Sequence, residues 1–201
     1  VASGLMIESV RVAAMGRSSS SWGAAARLQN RGADSMERPG GEGARPSPGK
    51  PQRETAMKPL FEMLAAYNEW ANRRLYDACT NLSSEERRAG LGAFFGSLHG
   101  TLNHVLLADR IWLARFEGAP PPDAPLDAEL YDKFVELRSA REAEDARILA
   151  HVGALREADL HAPIGYSRVT GPDRITQPLW GALTHFFNHQ THHRGQCHAM
   201  L

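Results

Sequence analysis

Five histidines fall within 14 residues near the end of the chain: His185, His189, His192, His193 and His198. A neutral imidazole offers a nitrogen lone pair to a divalent transition metal, and it is neutral above about pH 6.5. On a helix turning about 100° per residue, His185, His189 and His193 form a stripe that drifts about 40° at each step. That stripe borders an apolar face made by Trp180, Leu183, Phe186, Phe187, Cys197 and Leu201. His192 points to the outer side and His198 to another face. His189 and His193 are an i, i+4 pair, so their rings can converge on one ion at the roughly 2.0–2.1 Å of a Zn–N bond. Two ligands hold a metal poorly, and a third must come from a facing helix. An upstream segment offers His99 and His104. Five residues apart, they lie about 140° from each other and cannot both face one site. Each has apolar neighbours, so periodicity does not choose between them. His151 and His161 carry no signal.

The elements that must position these rings read as helices. Residues 58–80 space Leu60, Met63, Leu64, Tyr67, Ala71, Leu75 and Ala78 at intervals of three and four, which predicts an amphipathic helix. Ser83-Ser84-Glu85-Glu86 predicts a cap and a short turn of helix. A second long helix is expected over 94–116, with Leu98, Leu102, Val105, Trp112 and Phe116 on one side, closed by Gly118 and Pro120-Pro121-Pro122. A third is expected over 127–155, with Phe134, Leu137, Ile148, Val152 and Leu155 inside and its charges outside. Short β-rich runs at 164–169 and 174–176, around Thr170-Gly171-Pro172-Asp173, predict a hairpin. Pro178 opens a last helix over 178–201. The expected fold is all-α: a four-helix bundle with a short β-hairpin before the last helix, its ligand sites built from facing helices.

Residues 1–57 break this pattern. They hold 8 Gly, 8 Ser and 4 Pro, too little apolar surface to offset the entropy of ordering, so a disordered tail or a mis-assigned N-terminal extension upstream of Met57-Lys58 is expected. The bundle domain is 58–201. Its 15 Lys/Arg stand against 18 Asp/Glu, which argues against nucleic-acid binding. No window approaches the roughly 18 apolar residues of a membrane span. The two cysteines, Cys79 and Cys197, make no CxxC pair, and a reduced, cytoplasmic compartment is expected.

The run Asn103-His104-Val105-Leu106-Leu107-Ala108-Asp109-Arg110-Ile111-Trp112-Leu113 resembles the second-helix motif of the DinB/YfiT-like family. Asn188-His189-Gln190-Thr191-His192-His193-Arg194-Gly195-Gln196 resembles that family's last-helix signature, and Tyr67-Asn68-Glu69-Trp70-Ala71-Asn72 suits its first helix. The resemblance covers 58–201. It implies metal ligands at His104, His189 and His193, the ion being Zn or Ni first and Fe or Co next. It also implies a homodimer, to which exposed apolar residues on the first and third helices would contribute, and a last helix continuing past Leu201. The family's name commemorates damage-inducible expression, and the chain has neither the carboxylates nor the basic cleft of the polymerase sharing that name.

His185, His99, Asn103, Asn188, Arg194 and Gln196 are expected to line the pocket or to orient the imidazoles from behind. Three neutral ligands leave the full 2+ charge and an open position, which suits an enzyme activating a thiol or water. Some relatives are thiol-dependent transferases or isomerases, and the expected substrates are a low-molecular-weight thiol and a small molecule. The mycothiol-dependent maleylpyruvate isomerases have Glu where this chain has His189, so that activity is not carried over. The alternative is a non-catalytic metal-binding stress-response protein. Di-iron storage is a poor reading, because no helix carries the Glu-x-x-His pairs such bundles need, and no HExxH, nucleophile elbow or P-loop occurs.

Overall fold

The computed structural model describes residues 56–167 and 173–201. The expected tail, apart from its last two residues, lies outside the described residues, as do Arg168 to Pro172 of the expected hairpin.

Four long helices carry the fold: α1 (Lys58–Thr80), α3 (Leu98–Glu117), α4 (Phe134–Ala154) and α6 (Leu179–Met200). Helix α1 packs on α4 and α6, and α3 packs on the same two, so the four close into a bundle. Two five-residue helices, α2 (Ser84–Arg88) and α5 (Glu157–His161), and two strands complete the described chain. Strands β1 (Pro163–Ser167) and β2 (Arg174–Pro178) pair antiparallel, with Tyr166 opposite Ile175. The hairpin precedes α6, as expected. Helix α1 begins against a remote acceptor: Glu157 takes the backbone N–H groups of Met57 and Lys58 at 2.7 and 2.9 Å. A carboxylate there satisfies two donors that the helix cannot, and its charge complements the positive helix end.

Four expectations need correction. The second helix starts at Leu98, not Phe94. Ser97 caps it, its Oγ accepting from the Gly100 N–H at 3.1 Å. Gly92 and Gly96 hold φ of 75° and 77°, so the preceding segment is a turn. The third helix starts at Phe134, not near 127, and residues 119–133 become a strap along α3. The inner face of α1 is also rotated from the expected one. Leu60, Met63, Tyr67 and Ala78 are exposed, while Phe61, Ala65, Asn68, Asn72, Tyr76 and Cys79 are buried with Ala71 and Leu75.

That rotation follows from polar residues in the interior. One apolar cluster, around Phe61, Trp112, Ile148, Val152, Leu183 and Phe186, fills the hairpin end of the bundle. Another, around Leu75, Leu98, Leu102, Leu106, Leu137 and Cys197, fills the opposite end. Between them lies a buried polar layer drawn from all four helices. Asp109 on α3 pairs with Arg141 on α4 and accepts from Gln190 on α6. Arg141 also pairs with Asp145 at 3.0 Å, and Asn68 and Asn72 on α1 donate to Asp145 at 3.1 and 2.9 Å. Arg194 on α6 donates to both asparagines. Arg141, Glu144 and Asp145 therefore correct the expectation that the third helix keeps its charges outside. Each of these buried charges has an ion-pair partner of opposite sign, although Arg141 Nε and Nη2 make no hydrogen bond among the described residues.

Candidate metal centre

Helices α3 and α6 pack side by side, and this seam brings three imidazoles together. Nitrogens of His104, His189 and His193 lie within 4.8 Å of one another. Ring centroids are 4.3 Å apart for His189 and His193, 4.7 Å for His104 and His193, and 5.5 Å for His104 and His189, with planes crossed at 55–70°. Between His189 and His193 the two Nε2 atoms are 3.0 Å apart. Two ligand nitrogens on a tetrahedral ion at 2.0–2.1 Å stand about 3.3 Å apart, so this one pair lies within tenths of an ångström of ligand spacing.

The outer nitrogens fix which face each ring presents. His104 Nδ1 donates to the Leu126 carbonyl at 2.8 Å, and His193 Nδ1 donates to Gln196 Oε1 at 2.7 Å. An acceptor holding the Nδ1 proton leaves the Nε2 lone pair free, the tautomer a metal needs. Gln196 is itself oriented, its amide N–H reaching His192 Nε2 at 3.3 Å. His189 Nδ1 is buried without a partner among the described residues. Burial disfavours the imidazolium at all three positions. It pushes His193 down to about 4, with His104 adding to the effect; it lowers His104 against the opposing Leu126 hydrogen bond; and it drops His189 well below the usual histidine range. The donor set is therefore three neutral nitrogens, chemistry that fits a borderline divalent ion.

The remaining expected site residues divide. His185 sits 6.1 Å from His189 by ring centroid and 5.1 Å from Trp112, beside the cluster but outside it. His99 donates its Nε2 proton to the Tyr131 carbonyl at 2.9 Å. Asn103 holds the backbone of the same residue, accepting from the Tyr131 N–H at 3.0 Å. Both fasten the strap rather than touch the cluster, and the strap in turn supplies the Leu126 carbonyl. Asn188 is exposed. Arg194 turns into the polar layer toward Asn68, Asn72 and the Tyr67 ring. Sequence reasoning missed Leu126, because a backbone acceptor has no side-chain signal. It also missed Phe95, whose ring stacks on His104 at 3.7 Å and 15°.

A model of the DinB family matches residues 55–201. The protein DinB of Bacillus subtilis (strain 168) is 30% identical over 146 residues, spanning 69% of this chain and 82% of that protein.

Proposed function

The chain belongs to the DinB family, and on that premise we propose that His104, His189 and His193 bind one divalent transition-metal ion in a small-molecule enzyme acting on a thiol or water. The observation that carries the reading is the convergence of three imidazole nitrogens within 4.8 Å, two of the rings having their outer nitrogens held by oxygen acceptors. Solvated surface histidines have no reason to hold two rings in one tautomer or to stay neutral together. Helix α3 supplies one ring and α6 two, so binding would tie the bundle together across its seam. A bound ion supplies a 2+ charge that lowers the pKa of a thiol or water at its open position. The chain's part is to hold three lone pairs on one point and to surround them with apolar groups. Zn and Ni fit the nitrogen set first, with Fe and Co also accommodated.

Exposed Leu60, Met63, Tyr67 and Trp70 on α1 support pairing of two copies, which sedimentation tests against the 22.1 kDa of one chain. Among the described residues no helix is long and apolar enough to cross a membrane.

Equilibrium dialysis against Zn2+ and Ni2+ tests the centre. The full chain should take up one ion. His104→Ala, His189→Ala and His193→Ala should each abolish tight uptake, whereas His192→Ala and His198→Ala should keep it. Absence of uptake by the unaltered chain overturns the reading. Catalysis is tested separately, by metal-dependent consumption of a low-molecular-weight thiol with a model electrophile. Uptake without turnover of any thiol or hydrolytic substrate would leave a metal-binding protein that is not an enzyme.

A further inference from the structure

We propose that Phe95 is a positioning residue that walls off one flank of the three-histidine centre and so limits how many exogenous ligands its ion accepts. The inference rests on the metal-binding reading above and adds a determinant of what that site can take. Phe95 lies nearly parallel to the His104 ring at 3.7 Å, and its centroid is 5.7 Å from that of His193, with the planes 62° apart. One side chain thus touches the rings from α3 and α6 at once. A phenyl face offers bound water no hydrogen bond, and it occupies the volume that further water ligands would need. On its other side His189 meets a further imidazole rather than a phenyl ring, His185 lying 6.1 Å away by ring centroid with Trp112 beyond. An ion with one flank closed favours a single soft monoanion, such as a thiolate, over several waters or a chelating oxygen ligand.

The backbone is built to hold this ring in place. Gly92 and Gly96 bracket Phe95 with φ of 75° and 77°, in the left-handed region that side chains rarely adopt. The Gly96 N–H closes the turn on the Ala93 carbonyl at 2.9 Å. Gly100, in the first turn of α3, has no Cβ, and one added there would overlap the Phe95 carbonyl oxygen. Three glycines at intervals of four therefore set the Phe95 backbone against α3. Phe94, the adjacent residue, is 70% exposed and meets Phe95 edge-on at 4.9 Å, so its removal tests whether losing a neighbouring ring alone matters.

Co2+ alone is the probe, because its visible absorption is intense at four-coordination and severalfold weaker at five or six. The full chain loaded with one Co2+ should give the intense spectrum. Phe95→Ala should keep one Co2+ and its helicity while losing intensity severalfold. Gly100→Ala keeps the phenyl ring but displaces it, and should produce the same loss. Phe95→Leu, which preserves apolar bulk, and Phe94→Ala should both retain the intense spectrum. The proposal is overturned if Phe95→Ala keeps the unaltered intensity, or if the unaltered chain already shows the weak spectrum. Either result leaves metal binding standing. Absence of Co2+ uptake by the unaltered chain would overturn both.

Discussion

At the scale of single residues, the orientation of the imidazoles is what separates this cluster from a histidine-rich surface. Gln196 holds the Nδ1 proton of His193 at 2.7 Å, and replacing such an outer partner generally costs 10–100-fold in metal affinity. Gln196→Leu should therefore weaken Zn2+ binding by about that factor in a competition titration, without changing the one-ion stoichiometry. His192→Ala removes only the group that steadies the far end of the Gln196 amide and should weaken binding much less. The same burial that keeps the rings neutral extends binding into acid. An exposed histidine gains its proton at about 6.5, but His193 does so at about 4, so affinity should persist well below pH 6.5 before protons displace the ion. A dialysis series whose midpoint lies at 6.5 or above would contradict the burial of these rings.

At the scale of elements, the sequence carried the helices more clearly than their ends and faces. The four long helices and the hairpin were legible because apolar residues recur at three and four, and because Gly118 and Pro178 mark boundaries. The start of α3 was misplaced because Phe94 and Phe95 look like core residues. Their role depends on Gly92, Gly96 and Gly100, whose meaning is conformational rather than hydrophobic. The face of α1 was misread for a related reason. The apolar spacing passed over Asn68 and Asn72, yet they are an i, i+4 polar pair on the stripe that also holds Phe61, Ala65 and Leu75. Arg141 with Asp145, and Gln190 with Arg194, repeat that signature on α4 and α6. The i, i+4 histidine pair was legible from spacing, whereas His104 needed a family motif to be preferred over His99. Ser97 is the clearest local stop: Ser97→Ala removes the acceptor of the Gly100 N–H and should cost about 1 kcal/mol in denaturant unfolding. Leu106, fully buried, should cost 2–5 kcal/mol on truncation to Ala.

At the scale of the whole molecule, the polar layer and the histidine cluster load the metal-free protein with opposite responses to pH. Burial holds the Asp109 carboxyl at about 7 against the pull of Arg141, above its ordinary value near 3.8. Between those values the folded chain binds a proton that the unfolded chain has lost, so stability falls as pH rises from about 4 to 7. His193 runs the other way. Its folded value of about 4 lies below the ordinary 6.5, so between them the unfolded chain binds the extra proton and stability increases with pH. Each group can contribute up to about 1.4 kcal/mol per pH unit in its window. The windows overlap, so Asp109 offsets part of the rise that His193 and its lowered neighbours His104 and His189 impose on the unaltered chain. Asp109→Asn removes the first contribution; its single oxygen can accept from only one of Gln190 and Arg141, a loss that does not vary with pH. Its stability in urea should then rise steeply with pH from about 4 to 6.5. His193→Gln should move the other way, to a shallower rise with pH than the unaltered chain, because His104 and His189 keep lowered values of their own. Two variants with the same slope, or both with the slope of the unaltered chain, would mean that the layer and the cluster do not titrate as their burial dictates.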